Sequence, residues 1–149
     1  MYWTKDGGSI VRAGMDGSNV ATIVSGLDRP AGITIDFHGS KLYWADWRSN
    51  KIQSSGLDGS GVVALMQLSS GPYGIAVTGE RLYWSLFDAK IMQSATKTGE
   101  DIRMVHFGRA GIYHLTVPDW TAIKNRTNPC RVQACSGVCV LTSSSYKCL

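Results

Sequence analysis

A tyrosine–tryptophan pair recurs at Tyr2-Trp3, Tyr43-Trp44 and Tyr83-Trp84, at spacings of 41 and 40 residues. Around each pair the same pattern returns. An isoleucine follows about eight residues later (Ile10, Ile52, Ile91), and a glycine turn closes the unit: Asp16-Gly17, Asp58-Gly59 and Thr98-Gly99. A fixed period of about 40 residues is the mark of a repeat array, in which no unit buries its apolar surface alone. Within one period the residues read as four short strands. In the middle copy these are Gly32–Asp36, Lys41–Asp46, Lys51–Ser54 and Gly61–Leu65, the first alternating with Ile33 and Ile35 on one face. Gly39-Ser40 and Asp58-Gly59 punctuate them, the latter predicting a type I′ turn with positive φ at both central positions. No segment sustains a 3.6-residue period, so no long helix is expected.

Four antiparallel strands per 40-residue unit describe a β-propeller blade, which buries both faces against its neighbours. Residues 1–25 supply the last three strands of one blade, residues 30–67 a full blade and residues 72–107 another; 111–117 reads as an orphan first strand able to close a ring. Trp3, Trp44 and Trp84 then lie in second strands and read as core. An indole burying about 150–250 Å² contributes at most about 4–6 kcal/mol.

Composition narrows the function classes. The net charge is +4, but the cations (Arg12, Arg48, Lys51, Arg81, Lys90, Arg103, Arg109, Lys124) are scattered, so a nucleic-acid interface is not expected. No apolar run approaches a membrane span, and no signal-peptide pattern is read before Tyr2, so neither is expected within these residues. All four cysteines (Cys130, Cys135, Cys139, Cys148) fall in the last 20 residues. That boundary separates a core-stabilised array from a segment reading as cross-linked, in an oxidising compartment. A zinc site is the rival, but it wants C-x₂-C pairs, and the spacing is C-x₄-C-x₃-C-x₈-C. Four cysteines allow three pairings, between which spacing does not choose.

No catalytic signature stands in its proper context. Gly59-Ser-Gly-Val-Val-Ala64 mimics a dinucleotide loop, but on a hairpin instead of a strand–helix crossover. No nucleophile elbow, zincin motif or phosphate loop occurs. His38, His106 and His114 are dispersed; each reads as solvated or packed before it reads as a pH sensor. Inner strands offer Asp36, then Val77-Thr78, then Val117-Pro118-Asp119, with no repeating ring of oxygen ligands for calcium. No catalytic residue, metal site or cofactor is therefore expected.

The Tyr-Trp pairs, the isoleucines, the Asp-Gly-Ser turns and the segments Pro30-Ala-Gly-Ile-Thr-Ile-Asp36 and Pro72-Tyr-Gly-Ile-Ala-Val77 together resemble the YWTD, or class B, repeat of the low-density lipoprotein receptor family. The resemblance covers 1–117. It implies an all-β fold, the C-terminal part of a six-bladed propeller of which about three blades are present, followed by a linker at 118–128 and a truncated growth-factor-like module at 129–149. On that analogy Cys130 pairs with Cys139 and Cys135 with Cys148, and Asn125-Arg-Thr127 is a glycosylation sequon in the linker. The chain reads as a fragment that begins inside a repeat and needs its remaining blades for closure. The repeat core implied is Tyr2, Trp3, Tyr43, Trp44, Tyr83 and Trp84, with Asp46 bracing blades. That acid is replaced by Lys5 and Leu86 in the other copies; its basic partner position holds Arg12, then Ser54 and Gln93.

The function implied is non-catalytic: extracellular protein-ligand binding in an endocytic or signalling co-receptor, the ectodomain of a single-pass membrane protein whose anchor lies outside these residues. Strand-connecting loops at one end of a propeller would carry the contacts. Trp47-Arg48-Ser49-Asn50 and Phe87-Asp88-Ala89 are the candidate loops, with Trp47, Arg48 and Phe87 as ligand contacts. The alternatives are a calcium-dependent hydrolase propeller and a structural basement-membrane propeller.

Overall fold

The computed structural model describes residues 1–88, 90–107, 115, 139–141 and 146–148. The chain divides into two compact units, Met1–Val117 and Pro118–Leu149.

The first unit is built of antiparallel sheets that follow one another along the chain, and no helix occurs among the described residues. Strands β1 (Tyr2–Lys5), β2 (Ser9–Arg12) and β3 (Ala21–Val24) form a three-stranded sheet in chain order. Strands β4 (Pro30–Asp36), β5 (Lys41–Asp46), β6 (Lys51–Gly56) and β7 (Val63–Gln67) form the second sheet. Strands β8 (Pro72–Thr78), β9 (Arg81–Leu86), β10 (Ile91–Thr96) and β11 (Arg103–Phe107) form the third. The expected orphan strand at 111–117 lies outside the described residues. In the second unit β12 (Cys139–Leu141) pairs antiparallel with β13 (Tyr146–Cys148), with Cys139 opposite Cys148. Cys130, Cys135 and Asn125 lie outside the described residues.

The period-2 geometry of a strand explains why the aromatic pair recurs. Successive side chains point to opposite faces, so Tyr43 and Trp44 serve two different interfaces. Trp44 and Leu42 stand opposite Ile33 and Ile35 in the β4–β5 register. They pack with Ile10 and Val24 of the first sheet. Tyr43 and Ala45 point the other way and join a cluster with Ile52, Ile75, Leu82, Trp84 and Leu86, bridging the second and third sheets. Trp44 and Trp84 thus face the sheet before their own, and Tyr2 and Tyr43 the sheet after. Trp44 and Trp84 are both completely buried, while Trp3 is half-buried. Neither buried indole N–H has an acceptor among the described residues, so these rings act through area and shape. Polar ties run across the same seams. The Tyr2 hydroxyl donates to the Leu57 carbonyl at 3.1 Å, and the Thr4 hydroxyl to the Ala31 carbonyl at 2.8 Å.

The glycine turns differ from the type I′ expectation. Gly17 N–H donates to Gly14 O at 3.1 Å, and Gly14 N–H to Ser18 O at 2.7 Å. This is a three-residue loop with its positive φ at Gly17 (+83°), while Asp16 does not adopt one. Asp58-Gly59 repeats the geometry, with Gly59 at +87°. The aspartate's work is elsewhere: its carboxylate accepts from the backbone N–H and hydroxyl of the serine two residues on, at 3.0 and 2.7 Å for Asp16 and 3.0 and 2.6 Å for Asp58. The Ser18 and Ser60 hydrogen bonds hold both carboxyls below the ordinary carboxylate value. In the third copy, where threonine replaces aspartate, the Thr96 hydroxyl instead accepts from Glu100 N–H at 3.0 Å.

Glycine is required at two of these turns for a second reason. A Cβ on Gly59 would run into the Ile23 carbonyl, and one on Gly99 into the Leu65 carbonyl, each on the outer strand side of the preceding sheet; a Cβ on Gly17 would meet nothing. Gly17→Ala should therefore cost only the left-handed backbone term, about 1–2 kcal/mol. Gly59→Ala adds the cost of overpacking, about 1–3 kcal/mol more. Denaturant titration of the two variants checks this, and equal losses would contradict the docked-turn geometry.

A second seam contact is ionic. Lys97 Nζ, at the β10–β11 turn, sits 2.6 Å from Asp36 at the end of β4, and both side chains are largely buried. Burial is the strongest single influence on Asp36 and pushes it up, but the Lys97 hydrogen bond and the Gly39 N–H together hold it below its ordinary 3.8. The Asp36 hydrogen bond raises Lys97 above its ordinary 10.5. The sign follows from linkage. The carboxylate's contribution is present at neutral pH and fades as pH falls through its depressed value; the ammonium's fades only as pH rises through its raised one. Lys97→Met should destabilise by on the order of 3 kcal/mol at neutral pH. The gap to wild type should narrow as pH falls through the depressed Asp36 value, in melts recorded across the acid range.

Candidate functional site

The strand ends Asp46, Lys51, Pro72, Leu86 and Ile91 share one end of the sheets, because adjacent strands alternate in direction. The loops there converge around Trp47, the residue after β5. Its ring meets Phe87, the residue after β9, edge-on at 5.9 Å between centroids and 70° between planes. Phe87 lies 5.2 Å from the Tyr73 ring on β8. The Arg29 guanidinium stands 5.4 Å over the Trp47 ring, within cation–π range. Gly71 completes the seat: a Cβ there would strike the Trp47 indole itself.

The backbone beneath is fixed by Asp46, a carboxylate that is 1% exposed. It accepts from Asp28 N–H at 3.0 Å, Arg29 N–H at 2.9 Å and, more weakly, Ser49 N–H at 3.4 Å. Trp47 N–H donates back to Arg29 O at 3.0 Å. Asp46 thus ties the loop entering β4 to the loop leaving β5 through main-chain donors. Arg12, expected in this network, is exposed at the end of β2 and takes no part in it. The third copy manages without the acid: Phe87 N–H still donates to Gly71 O at 3.0 Å, and Leu86 is buried in the core where Asp46's counterpart would stand.

The three contact residues named from sequence separate here. Trp47 and Phe87 come together. Arg48 is exposed and faces Asp28 at 3.9 Å, away from the aromatic cluster. Arg29 and Tyr73 were missed. Nothing in their local sequence marks them; the signal was positional, since Arg29 precedes Pro30, and Tyr73 follows Pro72, in the paired inner-strand segments. Ala89 lies outside the described residues, His38 is exposed at the opposite end, and the His106 side chain and His114 also lie outside the description.

Beside Trp47 opens a cavity of about 330 Å³, lined by Thr4, Asp6, Arg29, Pro30–Gly32, Trp47 and Tyr73. Among the described residues no three His, Cys, Asp or Glu side chains gather as metal ligands would. The chemistry on offer is aromatic area, one guanidinium, one carboxylate and backbone polar groups, the make-up of a recognition surface.

Antiparallel sheets of a common register, stacked through Tyr-Trp pairs, define a β-propeller segment of the YWTD type. The chain carries the low-density lipoprotein receptor repeat class B, whose family model matches residues 40–77. It is 36% identical to the vitellogenin receptor of Solenopsis invicta across 99% of its own length, and 33% identical to the vitellogenin receptor Yl of Drosophila melanogaster across 95%. Human low-density lipoprotein receptor-related protein 5 matches at 35% over 60% of the chain. The chain spans 9%, 7% and 6% of those three proteins. Among solved structures, a chain of a nidogen/laminin complex superposes with a TM-score of 0.73 at 26% identity, covering 81% of this chain and 49% of that one.

Asp46→Ala strips the acceptor from Asp28 and Arg29 N–H and should cost about 3 kcal/mol; Asp46→Asn, which keeps one acceptor oxygen, should cost less. Urea melts of both variants rank them, and an Asp46→Ala protein as stable as wild type would contradict the bracing role.

Proposed function

We propose that this chain is a non-catalytic, protein-binding part of an extracellular receptor, and that the loop end carrying Trp47, Phe87, Tyr73 and Arg29 is its contact surface. The observation that carries the reading is the cluster itself: three half-exposed aromatic rings and an exposed guanidinium held on a rigid scaffold, the residue types that dominate binding hot spots. The likeness of nearly the whole chain to two vitellogenin receptors supports an endocytic receptor and vitellogenin as the first ligand to test. Anchoring by a membrane span beyond these residues, a disulfide-linked growth-factor-like module at 129–149 and glycan at Asn125 belong to the same proposal.

A second reading has its own support. The structural likeness to a chain of a nidogen/laminin complex favours a matrix propeller that holds another matrix protein. The hydrolase alternative draws no support from the residues at this end, which offer one carboxylate, Asp6, to the cavity.

Cells expressing the full-length protein should bind and internalise labelled vitellogenin. A Trp47→Ala, Phe87→Ala double variant should lose tenfold or more in affinity, or about 1.4 kcal/mol, with surface expression unchanged. Undiminished uptake by the double variant would overturn the assignment of this surface; binding of laminin without internalisation would favour the matrix reading.

A further inference from the structure

The charge arrangement of the cavity carries a more specific statement about the partner, which rests on the contact surface proposed above. Arg29 is exposed, yet it is not a free-swinging side chain. Its N–H is held by Asp46 at 2.9 Å, its carbonyl by Trp47 N–H at 3.0 Å, and its guanidinium lies over the Trp47 ring. No carboxylate lies within 4 Å of it among the described residues, whereas its neighbour Arg48 faces Asp28 and Arg81 and Arg103 share Asp101. A guanidinium presents its N–H groups in one plane, the geometry that binds a carboxylate through two parallel hydrogen bonds. Placing it in advance removes most of the ordering cost of forming that pair.

The cavity bounded by this guanidinium has room for one or two side chains and not for a folded domain. Asp6, its one acidic lining residue, repels a run of acids but tolerates a single carboxylate drawn to Arg29. Tyr73 and Phe87 extend the surface with apolar area for the residues next in line.

We propose that this cavity receives one aspartate or glutamate side chain from an extended segment of the protein partner, with Arg29 pairing the carboxylate and Tyr73 and Phe87 packing a neighbouring apolar residue. Arg29 and Asp6 then set the charge preference of the site.

The test pans a disulfide-constrained random peptide library on the full-length protein, keeping peptides that lose binding to the Trp47→Ala, Phe87→Ala variant. Synthetic peptides from that pool are measured by calorimetry against wild type, Arg29→Gln and Asp6→Asn, with thermal melts confirming that all three remain folded. The pool should be enriched in single acidic residues. Arg29→Gln should weaken binding tenfold or more, Asp6→Asn should strengthen it severalfold, and exchanging the peptide's Asp for Asn should erase the dependence on Arg29. Peptides that need Trp47 and Phe87 but ignore Arg29→Gln, or weaken with Asp6→Asn, would overturn the carboxylate assignment and leave the contact surface standing. A library yielding no peptide that depends on Trp47 and Phe87 would overturn both.

Discussion

Two adjacent aromatic residues on one strand, pointing to opposite faces, are what hold the sheets in series. A lone four-stranded antiparallel sheet has one face too many to leave wet. The Tyr-Trp pair resolves this by giving each face a large apolar payload. Trp44 seals the second sheet onto the first, and Tyr43, one residue earlier, helps seal it onto the third. Because every copy carries the pair, the seams share one plan, and stability accrues seam by seam as in other repeat architectures. Supporting contacts respect the same seams: the Tyr2 and Thr4 hydroxyls cross one, the Asp36–Lys97 pair crosses the next, and the Gly59 and Gly99 turns sit down on the sheet before.

The candidate site follows from that stacking. Alternating strand direction sends the residues after β5 and β9 to the same end, and register equivalence sets Trp47 and Phe87 side by side. Asp46 contributes by fixing backbone, not by touching a ligand. Its two short hydrogen bonds hold Asp28 and Arg29 in place, so that the arginine reaches the cavity with its guanidinium over an indole. A rigid frame thus offers chemically adaptable groups at its rim, the division of labour expected of loops on a scaffold.

Much of this was legible in the residue order, for identifiable reasons. The 40-residue period and the strand alternation of Ile33 and Ile35 depend on local pattern alone, and Trp44 and Trp84 announced themselves by size and recurrence. What local pattern does not carry is which side chains meet across loops distant in sequence. Arg48 looked like the cation of the site because it adjoins Trp47, yet Arg29, 18 residues upstream, occupies the ring. The Asp-Gly turn was assigned the commonest two-residue geometry; the serine that follows, hydrogen-bonded to the aspartate, selects the longer loop. Arg12 was assigned to a bracing network that main-chain N–H groups satisfy without it.

The face-splitting role of the aromatic pair is open to direct measurement by double-mutant cycles on Tyr43, Trp44 and Trp84. Tyr43 and Trp84 share one apolar cluster, while Trp44 belongs to the other. Tyr43→Ala and Trp84→Ala should be coupled by roughly 0.5–3 kcal/mol, and Trp44→Ala and Trp84→Ala should be additive within about 0.5 kcal/mol. Coupling of Trp84 to Trp44 with none to Tyr43 would contradict the account at its root.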